Sequence, residues 1–174
     1  EAILRVMLEH CKDSKRSVRP NTISFTAVID AWASSSDNKR GPFRAEAIVK
    51  QMEEMYELGN KDIQPTIHTY NTVLKAWAKS KEKGSANRAE QILADLERRC
   101  NKDNTKHLKP NTVTYNTVIN ALATSGEPDA AERAEAFLQK MLERYRGGEK
   151  DIIPNTISFN SVIDAWACQG DKRA

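Results

Sequence analysis

The sequence predicts an all-α protein of the α-solenoid class, built from helix-turn-helix repeats, and three observations lead there. A proline-led segment returns four times, as PNTISFTAVIDAWA from Pro20, PTIHTYNTVLKAWA from Pro65, PNTVTYNTVINALA from Pro110 and PNTISFNSVIDAWA from Pro154, at spacings of 45, 45 and 44 residues. Within each copy the apolar residues fall at i, i+3, i+4 and i+7, one face of a helix with 3.6 residues per turn. The period-two alternation of a half-buried strand is absent.

The first helix of each repeat carries this stripe: Phe25, Val28, Ile29 and Trp32, then Tyr70, Val73, Leu74 and Trp77, then Tyr115, Val118, Ile119 and Leu122, then Phe159, Val162, Ile163 and Trp166. The residues after each proline offer a side-chain cap for the helix start. A second echo follows each of the first three copies, as RAEAIVKQM from Arg44, RAEQILADL from Arg88 and RAEAFLQKM from Arg133. It predicts a second helix with the stripes Ala45, Ile48, Val49, Met52, Tyr56; Ala89, Ile92, Leu93, Leu96, Cys100; and Ala134, Phe137, Leu138, Met141, Tyr145. Pro42 and Pro128 mark the starts of second helices, and Gly59 and Gly147-Gly148 mark their ends. EAILRVM at Glu1 is the same second-helix element without its front. The expected organisation is therefore the second helix of a partial repeat over 1–21, whole repeats over 22–66, 67–111 and 112–155, and the first helix of another over 156–174. One helix pair leaves an apolar flank that the next pair covers, so stacking follows from the pattern.

Composition closes several alternatives. A formal net charge of +3 does not advertise a nucleic-acid partner by itself. The three cysteines, Cys11, Cys100 and Cys168, form no CxxC pair, so neither a disulfide framework nor a zinc site is expected. Cys11 and Cys100 stand where Tyr56 and Tyr145 stand in other repeats, which makes them packing residues. No apolar run approaches the ~20 residues of a membrane span. His10, His68 and His107 have no metalloprotease-type spacing and no phosphate-binding glycine loop occurs, so no catalysis, metal or cofactor is expected within this segment.

The chemistry left over lies on the other face of the first helices. Positions i, i+4 and i+8 read Thr26, Asp30, Ser34; Asn71, Lys75, Lys79; Asn116, Asn120, Thr124; and Asn160, Asp164, Cys168. The leading residue of each trio is Asn or Thr, poor choices for a helix interior and no better in water than Glu or Lys. The residue after each proline is similarly restricted: Asn21, Thr66, Asn111 and Asn155.

At these residues the chain resembles a known family. The run PNTVTYNTVINALATSGEPDAAERAEAFLQKM from Pro110 is similar to a pentatricopeptide repeat, and the likeness covers essentially the whole chain. The repeats are longer than the family's usual ~35 residues, with insertions at SSSDNKRGP, YELGNKDIQ, CNKDNTKHLK and YRGGEKDII, where loops and helix ends tolerate length.

The resemblance implies a right-handed superhelix that binds single-stranded RNA, one base per repeat, with an organellar address in a mitochondrion or plastid. It assigns base reading to Thr26 with Thr66, Asn71 with Asn111, Asn116 with Asn155, and Asn160 with a partner beyond the segment. Asparagine pairs imply pyrimidines and Thr26 implies a purine, giving 5′-purine-pyrimidine-pyrimidine-pyrimidine-3′. Ile23, His68, Val113 and Ile157 match the residues that wedge between bases, though packing at the helix start would also suit them, and Lys75 and Lys79 are positioned for phosphate. The competing expectation is a protein-interaction solenoid, such as a subunit of an organellar ribonucleoprotein, whose surface would be apolar or strongly charged in place of the Asn/Thr stripe.

Overall fold

A computed structural model describes residues 1–10, 19–80, 82–103 and 105–173; Cys11 lies outside them. The fold is an all-α helical repeat, and no strand occurs among the described residues. In order, the helices among the described residues are α1 (Ala2–His10), α2 (Thr22–Ser34), α3 (Gly41–Glu57), α4 (Ile67–Ser80), α5 (Ser85–Asp103), α6 (Thr112–Ser125), α7 (Ala130–Arg146) and α8 (Thr156–Arg173), with a 3-10 turn at Lys106–Leu108. The chain divides into two compact units, Glu1–Ala76 and Trp77–Ala174.

In the first unit, α1 and α3 pack against α2. Phe25 and Ile29 of α2 meet Ala45, Ile48, Val49 and Met52 of α3 in a core that excludes water. Gly41 opens α3 because a side chain there has no room: a Cβ would stand 2.8 Å from the Trp32 carbonyl oxygen. Pro42 occupies the first turn of that helix, where its missing N–H costs nothing.

In the second unit, α6 packs against α5, α7 and α8, and α7 also packs against α8. Tyr115, Val118, Ile119 and Leu122 are fully buried, each worth about 1.5–3 kcal/mol for its size. The stripe holds best where a repeat has neighbours on both sides. On α8, Phe159, Ile163 and Trp166 are exposed although their counterparts on α6 are core, because no described helix covers that flank. The last position of the second-helix stripe also falls short of the core: Tyr56 and Cys100 are half-buried and Tyr145 is exposed.

Each first helix begins with a reciprocal cap. Asn21, Asn111 and Asn155 accept the backbone N–H three residues on through Oδ1, at 3.0, 3.1 and 3.2 Å. The Ser or Thr at that third residue accepts the cap's own N–H. Thr66 and Thr69 exchange the same pair of bonds at 3.4 and 3.3 Å.

Two of the insertions, those after α3 and after α7, have defined structure. Second helices run 17, 19 and 17 residues. In the first unit the chain leaves α3 through Gly59 and in the second it leaves α7 through Gly148, at φ of 99° and 93°, a left-handed conformation that favours glycine. A buried isoleucine, Ile63 or Ile152, then anchors the segment. Its backbone returns to the start of the same repeat: Thr22 N–H donates to the Asp62 carbonyl and Thr112 N–H to that of Asp151, both at 3.0 Å. The two threonine hydroxyls bond the same segments.

Candidate functional site

The cap and the helix that follows bring polar side chains from consecutive repeats together. In the second unit, Asn116 on α6 donates through Nδ2 to Asn155 Oδ1 at 3.1 Å, and its own Oδ1 accepts the Ser158 hydroxyl at 2.7 Å. In the first unit, the Thr69 hydroxyl stands 3.3 Å from both Thr26 Oγ1 and Thr66 Oγ1. Each cluster contains a residue of the predicted trio, a residue that follows a proline, and a buried hydroxyl beneath both.

The leading residues are more covered than a freely solvated face would make them. Asn116 is only 9% exposed, because α8 packs over that side of α6. Thr26, Thr66, Asn71 and Asn111 are half-buried, while Asn155 and Asn160 are exposed, with no described helix over them. Asn71 Oδ1 is buried without a hydrogen-bond partner among the described residues. An acceptor in that state costs about 1–3 kcal/mol unless something donates to it.

Beside the polar clusters stands a second set. Ile23, Val113 and Ile157 are 76%, 57% and 61% exposed, and His68 at the equivalent position is exposed too. All four side chains are open to solvent at the start of their helices. Lys75 and Lys79 are exposed one and two turns along α4. Ser34, Thr124 and Cys168 hold the Lys79 position in the other repeats, which leaves positive charge sparse on this face.

A family model described as the pentatricopeptide repeat domain matches residues 7–80, 55–125 and 101–169. The chain belongs to the pentatricopeptide repeat family. Proteins of this family usually bind single-stranded RNA in organelles, and their repeats are typically non-catalytic. No curated protein matches the sequence closely enough to count as a relative.

In this pentatricopeptide repeat array, one cluster of charged groups has a structural role. Arg144 donates to Glu149 and Glu97, and Lys140 to Glu97, tying α5, α7 and the segment after α7 together around the buried Tyr115. Burial pushes the Tyr115 phenol up, and its hydrogen bond to Glu97 adds to the shift, so it acts as a neutral donor. Cys100 is half-buried and Cys168 exposed. Among the described residues no group of three His, Cys, Asp or Glu could hold a metal ion, and no helix is long and apolar enough to cross a membrane.

Sequence reasoning missed the buried hydroxyls. Thr69, Thr114 and Ser158 are each fully buried. The available signal was a Ser or Thr three residues after every cap, at Ser24, Thr69, Thr114 and Ser158, a restriction as narrow as that on the Asn and Thr residues it supports.

Proposed function

We propose that the chain is a sequence-selective single-stranded RNA-binding array, reading one base per repeat in organellar RNA processing, stability or translation, with any catalytic domain lying outside this segment. The observation that carries this reading is the pairing of two unlike side chains at one place in every repeat. A half-buried or capped polar group stands beside an exposed Ile, Val or His. An exposed aliphatic side chain gains by covering a base plane, since each Å² of apolar surface removed from water contributes about 25 cal/mol. The polar neighbour then meets the base edge.

The asparagine amide carries donor and acceptor and suits the edge of a pyrimidine; the shorter threonine hydroxyl leaves room for a purine. Asn71, Asn111, Asn116, Asn155 and Asn160 therefore select pyrimidines and Thr26 with Thr66 a purine, in the order 5′-purine-pyrimidine-pyrimidine-pyrimidine-3′. Lys75 and Lys79 supply phosphate contacts. Fluorescence anisotropy with short labelled RNAs tests the reading: that four-base core should bind better than one with purines facing Asn71 and Asn116. Equal binding would refute it.

A further inference from the structure

The hydrogen-bonding polarity of the Asn116–Asn155 pair is dictated by backbone groups that cannot be reversed. The Ser158 backbone N–H donates to one end of the Asn155 amide at 3.2 Å, so that end is the oxygen. Asn116 meets the same oxygen at 3.1 Å and has to present Nδ2 to it. Its other end, Oδ1, then faces the Ser158 hydroxyl at 2.7 Å. That hydroxyl already accepts the Asn155 backbone N–H at 3.0 Å, so its single proton is what it has to give. Asn155 Oδ1 also lies 3.2 Å from the hydroxyl, and the shorter contact to Asn116 takes the proton.

What the pair keeps for a ligand is thereby defined. Asn155 has two N–H groups of Nδ2, and Asn116 has one N–H and one lone pair. The first unit differs in this respect. There the hub is Thr69, whose hydroxyl touches those of Thr26 and Thr66, and in both contacts either oxygen can be the donor. Thr66 and Thr69 each accept the other's backbone N–H, but neither neighbour is an amide with fixed ends, so the protons of the three hydroxyls can run in either direction and impose no polarity.

We propose that Ser158 is a positioning residue for base selection: from beneath the pair, its hydroxyl locks Asn116 and Asn155 into one donor–acceptor pattern without touching RNA. This rests on the base-reading role proposed above. The corollary is that the Thr26–Thr66 site accepts adenine and guanine alike, because its hydroxyls turn to suit either edge.

The test uses the 174-residue chain with Ser158→Ala and Ser158→Thr. Each is titrated by anisotropy against two short RNAs that differ only in carrying uridine or adenosine opposite Asn116. The wild type should prefer uridine by roughly 10-fold, within the range of one good base contact. Ser158→Ala should reduce that ratio to about twofold because the Asn116 amide is released, whereas Ser158→Thr keeps the hydroxyl that other repeats use and should retain it. Ser158 is also half of a cap, so circular dichroism checks that the Ala variant is folded. Ser158→Cys, similar in size with a weak donor, replaces it if it is not, and should lose selectivity in the same way. An unchanged ratio in a folded variant overturns the inference while leaving the base-reading proposal intact. A wild type without preference overturns both.

Discussion

Asn116 and Thr26 hold the same place in their repeats, and the difference between them is the clearest chemical difference in the array. Asn116→Thr should therefore move the preference at one base from pyrimidine towards purine by about 10-fold, with neighbouring positions unchanged, in the same anisotropy assay. A uniform loss at every position would mean instead that the substitution had disturbed packing. That Asn and Thr recur at one register was legible in the sequence, because such residues are unsuited to a helix interior. That Asn116 is nearly covered was not, since a single repeat gives no measure of how closely the next one packs on it. The same gap hid Ser158 and Thr69: each reads as an ordinary cap residue until the preceding repeat's Asn116 or Thr26 is found against it.

Helix boundaries were the most legible elements. The stripe, the post-proline caps and the glycine stops are local signals, and the structure realises them at Asn21, Asn111, Gly59 and Gly148. The insertions were less so: placed at loops and helix ends that tolerate length, those after α3 and α7 are segments anchored back on the start of their own repeats. Ile63 and Ile152 signal this anchoring only once their burial is known. Gly148→Ala, with open space around the Cβ but a left-handed backbone, should cost about 1 kcal/mol in chemical denaturation, all of it conformational.

The ion network at the same segment gives a pH dependence. The hydrogen bond from Arg144 holds the Glu149 carboxyl below the usual carboxylate range, against an opposing push from burial; the charges of Arg144 and Lys109 help. A folded pKa below the unfolded one stabilises fully above the unfolded value, and the contribution is lost as pH falls through the folded one. Wild type should thus be more stable than Glu149→Gln at neutral pH, and the two should converge in acid.

Junctions between consecutive repeats also come in two matched kinds. Glu53 bonds the Tyr70 hydroxyl and Glu97 that of Tyr115, whereas at the same two positions Leu8 precedes Phe25 and Leu142 precedes Phe159. Removing Glu97 takes away the acceptor of the buried Tyr115 proton, while Arg144 still donates to the phenol oxygen. Glu97→Leu alone should then cost about 1–3 kcal/mol, and adding Tyr115→Phe should recover part of it. Additive losses in a double-mutant cycle would show that the match is incidental.

For the whole molecule, sparse charge and the proposed base contacts set the character of binding. With Lys75 and Lys79 as the proposed phosphate contacts, log affinity should fall with log salt at a slope of about −1 to −2, since each neutralised phosphate of a single strand contributes roughly −0.7. A much steeper slope would point to a basic surface elsewhere on the chain. The repeat architecture was legible because a 45-, 45- and 44-residue period survives in every copy. Base recognition requires the meeting of side chains some 40 residues apart, which that period suggests without fixing.

The central claim is that the Asn/Thr positions read bases individually. It is met most directly by anisotropy over a panel of RNAs in which each of four consecutive bases is exchanged in turn between purine and pyrimidine. The predicted result is a purine preference at the 5′ position and pyrimidine preferences at the three that follow. Indifference at the bases facing Asn71 and Asn116 would contradict it.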